Sequence, residues 1–217
     1  MAVPASERLV DAAFALFAER GYDETTVEDI AARAGVGRTT FFRHYGSKEA
    51  VIFPAHDELL ARITARLDSA APATRDLAVV EAARIVLRHY VAEGERARQR
   101  YRLISQVPAL RDRENAGQRQ YQKTFAESLR ARWPDLHDAD LRAELMAASV
   151  VAAHNHVLRR WLRGDAGDPE AELDAAMDLV ISQASLGEDV ASVVVIRSTR
   201  SPEEVAERVR RALSDPT

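Results

Sequence analysis

Hydrophobic positions recur at helical spacing almost from one end of the chain to the other. Leu9, Val10, Ala13, Phe14, Leu16 and Phe17 repeat at intervals of three and four, which predicts a first helix capped by Ser6, stopped by Gly21 and covered at its exit by Tyr22. Val27, Ile30, Ala31 and Ala34 share one face of a short second helix. Its start offers two capping boxes, Thr25 with Glu28 or Thr26 with Asp29. Gly35 ends that helix, because glycine takes the left-handed conformation without a Cβ clash, and Gly35-Val36-Gly37 predicts a tight turn with Val36 filling its angle. A third helix, Arg38 to about Tyr45, buries Phe41 and Tyr45 and leaves Arg38, Thr39 and Thr40 pointing away.

Beyond this segment, Ser47 begins a long connecting helix to about Ser69, with Pro54 inside it predicting a kink or a displaced start. Further helices are predicted at Thr74 to Glu93, Glu95 to Gln106, Ala109 to Trp133, Asp138 to Arg163 and Pro169 to Leu186. Their breaks fall at Gly94, Pro108, Pro134 and GDAGDP. After Gly187, ASVVVIRS reads as a short strand, and SPEEVAERVRRAL as a helix with Ser201 at its cap and Pro202 at its first position. A lone strand is unstable, so this run either pairs with its copy in a second subunit or another segment, packs as an arm, or belongs to an ordering-poor appendage. The pattern is that of an all-α protein in three parts: a three-helix helix-turn-helix domain over residues 1–48, a larger helical ligand-binding and dimerisation domain over residues 49–186, and a strand-helix extension over residues 187–217.

Two short helices joined by a glycine turn, the second presenting small hydrogen-bonding residues at its N-terminal end, suit entry into a DNA major groove. Charge sharpens this reading. The chain carries a formal net charge of −4, yet Arg33, Arg38, Arg43 and Lys48 lie in a window from 33 to 48 that contains no carboxylate. His44 and Lys48 are placed to hold the phosphate backbone while Arg38, Thr39 and Thr40 sample base edges. The competing reading is a plain helical hairpin with a solvated basic face.

The leading helix LVDAAFALFAERGYDETTVEDIA, the turn AGVGRTT and the closing FFRHYGSKEAVI together resemble the N-terminal DNA-binding domain of the TetR/AcrR family of bacterial transcriptional repressors. The resemblance implies an all-helical homodimer that binds double-stranded operator DNA through its N-terminal domain and a small effector through its C-terminal domain. By position it implies phosphate contacts from Thr26, His44 and Lys48, and base or groove contacts from Arg38, Thr39, Thr40 and Arg43. Phe42 stands where the family very often has tyrosine, so a hydroxyl contact to phosphate is missing and Phe42 is left to pack or to touch a thymine methyl.

Composition narrows the remaining possibilities. With 217 residues, 47% hydrophobic, the chain can bury one small and one larger core. It has neither a signal-like N-terminus nor an apolar run of the ~18 residues that a membrane span needs, so a cytoplasmic location without membrane attachment is expected. Zero cysteines exclude disulfides, thiol redox sensing and thiolate metal sites, which leaves non-covalent effector binding. GVGRTT lacks the spacing and lysine of a phosphate-binding loop, and HExxH, GxSxG and dinucleotide fingerprints are absent. Neither an enzyme nor a cofactor or metal is therefore expected. The function read from the chain is a ligand-responsive repressor; the alternatives are an activator of the same fold, or a helical adaptor or enzyme that does not bind DNA.

Two apolar stripes, Leu141, Leu145, Ala148 and Ala152, and Leu173, Ala176, Met177, Val180 and Ile181, predict either an intersubunit bundle or intrachain core. A dimer is needed because one recognition helix covers too few bases for useful specificity. Effector candidates are Tyr101, Phe125, His154, Asn155 and Leu158; the polar residues interrupting SVVAAHNHVL need partners that a ligand, the protein or solvent supplies. His154 and His156, two apart on a helix, point to nearly opposite sides and cannot chelate one ion. Arg96, Arg98, Arg100 and Arg102 form either a solvated basic face or the mouth of a pocket for an anion such as an acyl-coenzyme A or another lipophilic effector.

Overall fold

The computed structural model describes residues 3–53, 56–133 and 137–185, and among these the chain is all-helical. The strand near Val193 and the helix after Ser201 lie outside the described residues. The first helix, α1 (Ala5–Arg20), begins two residues earlier than the Ser6 cap predicts, with Pro4 at the cap position. Ser6 sits within the first turn and caps nothing with its side chain; its carbonyl instead accepts a bond from the Tyr45 hydroxyl at 3.0 Å. Val10 is half-buried at the edge of the core that Leu9, Ala13, Phe14 and Phe17 occupy. The helices α2 (Val27–Arg33) and α3 (Arg38–Tyr45) follow, separated by a turn in which Gly35 takes φ 66°.

The connecting helix is shorter than the Ser47-to-Ser69 expectation. The Ser47 hydroxyl accepts from the Ala50 N–H at 3.2 Å, but it caps only a single 3-10 turn, Glu49–Val51, and α4 (His56–Asp68) starts beyond Pro54. Proline lacks the backbone donor and crowds the preceding turn, so the displaced start is the alternative the chain adopts. After a 3-10 turn at Pro72–Thr74 come α5 (Arg75–Glu93), α6 (Glu95–Gln106) and α7 (Pro108–Leu129). The last turn before Trp133 tightens to 3-10 geometry, Arg130–Arg132, where the pattern predicted continued α-helix. The final helices are α8 (Ala139–Arg163) and α9 (Pro169–Ser185), with Gly164 at φ 87° closing α8.

Two apolar clusters organise these helices. The head cluster joins α1, α2 and Phe41 of α3 to Val51, Ile52 and Phe53, and draws in Ile104 of α6 and Leu110 of α7. The body cluster spans α4 to α9 and is built on α7 packed along α8 and α4 along α5. Within it Leu173, Met177 and Val180 of α9 are buried, so that stripe is intrachain core. Ion pairs fasten α9 further, among them Arg84 to Asp174, Arg88 to Glu170 and Arg160 to Glu172. The α8 stripe behaves oppositely, with Leu141 and Leu145 57% and 60% exposed.

Head and body meet at Arg100. Its side chain is 3% exposed; Nε donates to the Ile52 carbonyl, and Nη1 and Nη2 donate to the Glu93 carboxylate at 2.5 and 2.7 Å. The guanidinium also faces the Tyr90 ring at 5.7 Å. Burial opposes the charge on Glu93, but the paired guanidinium outweighs it and holds the carboxyl below its ordinary range. The arginine series on α6 is thus divided: Arg100 is buried, Arg96 and Arg98 are half-buried, and Arg102 is exposed. Arg96 pairs with Asp11 of α1, Arg102 with Glu95, and Arg98 lies 4.9 Å from the Trp161 ring centroid.

Removing one member of a buried pair leaves an uncompensated charge, which typically costs 3–5 kcal/mol. Arg100→Met is therefore expected to lower the thermal midpoint by roughly 10 °C, and adding Glu93→Gln to restore part of the loss. Calorimetry of the wild type, the single and the double variant checks this; a double variant less stable than Arg100→Met would contradict it.

Candidate nucleic-acid interface

Local chemistry builds the α2–α3 unit. At the start of α2 the Thr26 hydroxyl accepts from the Asp29 N–H at 3.1 Å, while the Thr26 N–H donates to Asp29 Oδ2 at 2.9 Å, a complete capping box. The Thr26 hydroxyl also donates to Asp29 Oδ2, at 2.5 Å. The alternative box does not form: Thr25 is buried and its hydroxyl donates to the Gly21 carbonyl at 2.8 Å. Gly37 caps α3 without a side chain, and the first turn of α3 holds no acidic residue. Phe41 anchors α3, fully buried and in ring contact with Phe42 and Tyr45; Tyr45 itself is half-buried.

This anchoring leaves a coherent outer surface. Arg38, Thr39, Arg43 and His44 are exposed, Thr40 is half-buried and Phe42 is 41% exposed. Lys48 is placed differently from a simple surface cation. Its ammonium donates to the Tyr22 and Thr25 carbonyls at 2.8 and 2.9 Å and lies 4.0 Å from the Tyr22 ring centroid. Lys48 thus pins the loop that carries Thr26, with one of its three donors left over. Tyr22 completes the brace by donating to Glu49 Oε1 at 2.6 Å, and burial, with that hydrogen bond, raises its phenol well above the ordinary range.

The basic window is less naked than its sequence. Carboxylates from outside it reach in: Glu19 takes Arg33 through two bonds of 2.5 and 2.6 Å, and Glu28 takes Arg38 at 2.7 Å. Arg38 also stacks 5.3 Å from the Phe42 ring centroid, so it lies back over α3. Arg43 forms no ion pair among the described residues. These intruding acids lie ten and fourteen residues from their partners across turns, a separation that no helical period reveals.

The effector candidates occupy the body. Phe125, His154 and Leu158 are buried, whereas Tyr101 and Asn155 are half-buried. Arg163 Nε donates to the Tyr101 hydroxyl at 3.0 Å, and His154 Nδ1 lies 3.3 Å from Asn155 Oδ1. His154 Nε2 is buried and has no hydrogen-bond partner among the described residues. Burial pushes this imidazole down from 6.5 to about 4, against a weaker opposing effect of Asn155. None of the five lines the clefts of about 440, 540 and 620 Å³ found among the described residues. No group of three or more His, Asp or Glu among the described residues is placed to hold a metal ion, and no described helix is long and apolar enough to cross a membrane.

Two outcomes follow from these contacts. An exposed ion pair is worth ~0–1 kcal/mol, so Glu28→Gln, which releases Arg38, is expected to tighten duplex binding by up to about fivefold at low salt. Fluorescence anisotropy with a labelled duplex measures it, and weaker binding would contradict it. For His154 the folded imidazole binds its proton less readily than the unfolded one. Its contribution to stability is therefore complete above pH 6.5 and is lost as pH falls toward about 4. Between pH 7 and 5 it removes ~2 kcal/mol, so urea unfolding is expected to show a smaller acid loss for His154→Leu than for the wild type.

Comparison with known proteins agrees with this geometry. Residues 9–54 match the family described as bacterial regulatory proteins, tetR family, and residues 76–185 match the MftR C-terminal domain. The chain is 28% identical over 171 residues to the mycofactocin biosynthesis transcriptional regulator MftR named in Mycobacterium tuberculosis H37Rv, covering 78% of this chain and 86% of that one. It is 43% identical over 65 residues to the HTH-type transcriptional repressor Rv3405c of the same organism, a match covering 30% and 35% of the two chains. The fold superposes on a TetR-family transcriptional regulator from Syntrophomonas wolfei with a TM-score of 0.63 at 15% identity, covering 88% and 98% of the chains. It also superposes on NalD, the secondary repressor of the MexAB-OprM multidrug efflux pump in Pseudomonas aeruginosa, with a TM-score of 0.56 at 17% identity over 82% and 95%. With more than half of its length matched across both the head and the body, the chain belongs to the TetR family of bacterial transcriptional regulators.

Proposed function

We propose that the protein is a homodimeric, ligand-released repressor whose two α3 helices enter successive major grooves of a near-palindromic operator, about 34–36 Å apart. The observation that carries this reading is the outer surface of α3: Arg38, Thr39 and Arg43 exposed on a helix that Phe41 anchors in the core. In this reading Arg38, Thr39, Thr40 and Arg43 read bases, and Phe42 meets a thymine methyl. Thr26, His44 and the spare Lys48 donor hold phosphates. The stripe of exposed Leu141, Leu145 and Ala152 and half-buried Ala148 on α8, with Leu179 on α9 at 60% exposure, supports a dimer face. The α9 stripe named from sequence is not part of it, since its leucine, methionine and valine are core.

The effector enters around Tyr101, Phe125, His154, Asn155 and Leu158. Support comes from the unpartnered His154 Nε2 amid apolar neighbours, which a lipophilic molecule with one polar group, an acyl-coenzyme A among the candidates, would satisfy. Such a ligand releases DNA only through its preference for a different head orientation. Similarity to MftR makes DNA upstream of mycofactocin biosynthesis genes and of the protein's own gene the first operators to test.

Footprinting at low salt is expected to show a protected near-palindrome. Arg38→Ala should weaken it, and Lys48→Ala should reduce the salt slope by about one unit as a phosphate contact is lost. Leu145→Glu should sediment as a monomer and lose the footprint while keeping its helical circular dichroism. Equal, weak binding of the wild type to any duplex would overturn the operator reading.

A further inference from the structure

A cleft of about 540 Å³ lies where the head meets the body, within the size range of small-molecule sites. His44 and Tyr45 of α3 line one side; His89 of α5, Arg96 of α6 and Arg113 of α7 line the other. Buried Val51 and Phe53 give it an apolar floor. Arg113 lies with its guanidinium 5.4 Å from the Phe53 ring centroid and forms no ion pair among the described residues. His89 Nε2 is buried and lacks a hydrogen-bond partner among them. The nearest carboxylate, Glu93, is 3.8 Å away and already held by Arg100. Three arginines line the cleft against two carboxylates, Asp57 and Glu93, in a chain whose net charge is −4.

An exposed cation with no ion pair, over an aromatic ring and lining the same cleft as a buried ring nitrogen with nothing to bond, is the complement of a flat anion. We propose that this cleft binds a compact organic anion, a carboxylate or sulfonate carried on an apolar ring. Arg113 takes its oxygens, His89 Nε2 bonds it and Phe53 lies against its ring. The site is separate from the region around His154. Because one wall belongs to the recognition helix and the other to the body, an occupant fastens the two together. Its affinity and that of DNA are then linked by whatever change in head orientation DNA requires.

Anilinonaphthalene sulfonate, an aromatic anion whose fluorescence rises in apolar sites, tests the proposal on the full-length protein. One saturable site per chain is expected, with affinity reduced about tenfold or more by Arg113→Gln and by His89→Leu. His154→Leu should leave it at the wild-type value. Arg113→Gln should melt like the wild type and bind duplex like it when the probe is absent, which separates loss of the site from loss of the fold. Saturating probe should change the duplex affinity of the wild type and not that of Arg113→Gln. Probe affinity unaltered by Arg113→Gln, or abolished only by His154→Leu, overturns the site, and a bound probe without effect on duplex affinity overturns the linkage. The binding measurement contains no DNA, so its outcome is independent of the operator reading.

Discussion

The orientation of the DNA-reading head depends on one buried cation. Arg100 is the point at which α6 of the body grips the carbonyl of Ile52 in the chain leaving the head, and its charge is tolerable there only because Glu93, at the end of α5, closes on it with two bonds. Apolar contacts such as those of Ile104 and Leu110 with the head cluster are non-directional. A guanidinium with a fixed fork is not permissive, because a shift breaks several charge-assisted bonds at once. The junction is thus a discrete latch, and Arg96 with Asp11 adds a second, more exposed tie on the same helix.

From that latch outward, the head is a small domain held by reciprocal polar braces over an aromatic core. Phe14, Phe17, Tyr22 and Phe41 fill the middle, while Lys48, Tyr22 and Glu49 knot the loop before α2 to the turn after α3. The spacing of α2 against α3 is accordingly set twice, by Phe41 from within and by the lysine knot from the side. Such double support is what a reading helix requires, since base contacts tolerate little misplacement.

Most of the helical plan was legible in the sequence because it is local. Helical period, the glycine at Gly35 and the prolines at Pro54 and Pro108 act over a few residues, and α6 runs over the very residues its pattern marks. Ser6 misled because a serine near a helix start is no cap unless the chain turns there, and Pro4 lets the helix begin sooner. The recognition surface was legible in which residues face outward, yet its charge state was not. Glu19 and Glu28 reach their arginines across turns, and only the folded crossing of α1, α2 and α3 brings them together. The arginines of α6 read as one basic face for the same reason: the sequence displays their period, but Asp11, Trp161 and Ile52 come from distant elements. Likewise, two apolar stripes of similar appearance on α8 and α9 differ in fate, because burial depends on which neighbour arrives.

The threonine at the mouth of α2 carries a consequence for selectivity. Asp29 receives both the N–H and the hydroxyl proton of Thr26, so the donors a phosphate would use are already occupied by an anion of the protein itself. In the proposed operator complex a phosphate arriving there would replace a carboxylate; it would not fill an empty cradle. The contact is then an exchange of near-equals, whose net gain is small unless neighbouring contacts hold the duplex in register. On random duplex the exchange adds little, and on a cognate site it is drawn along by the rest of the interface. In that proposed complex, the cap that stabilises the helix would also discourage indiscriminate adhesion to DNA.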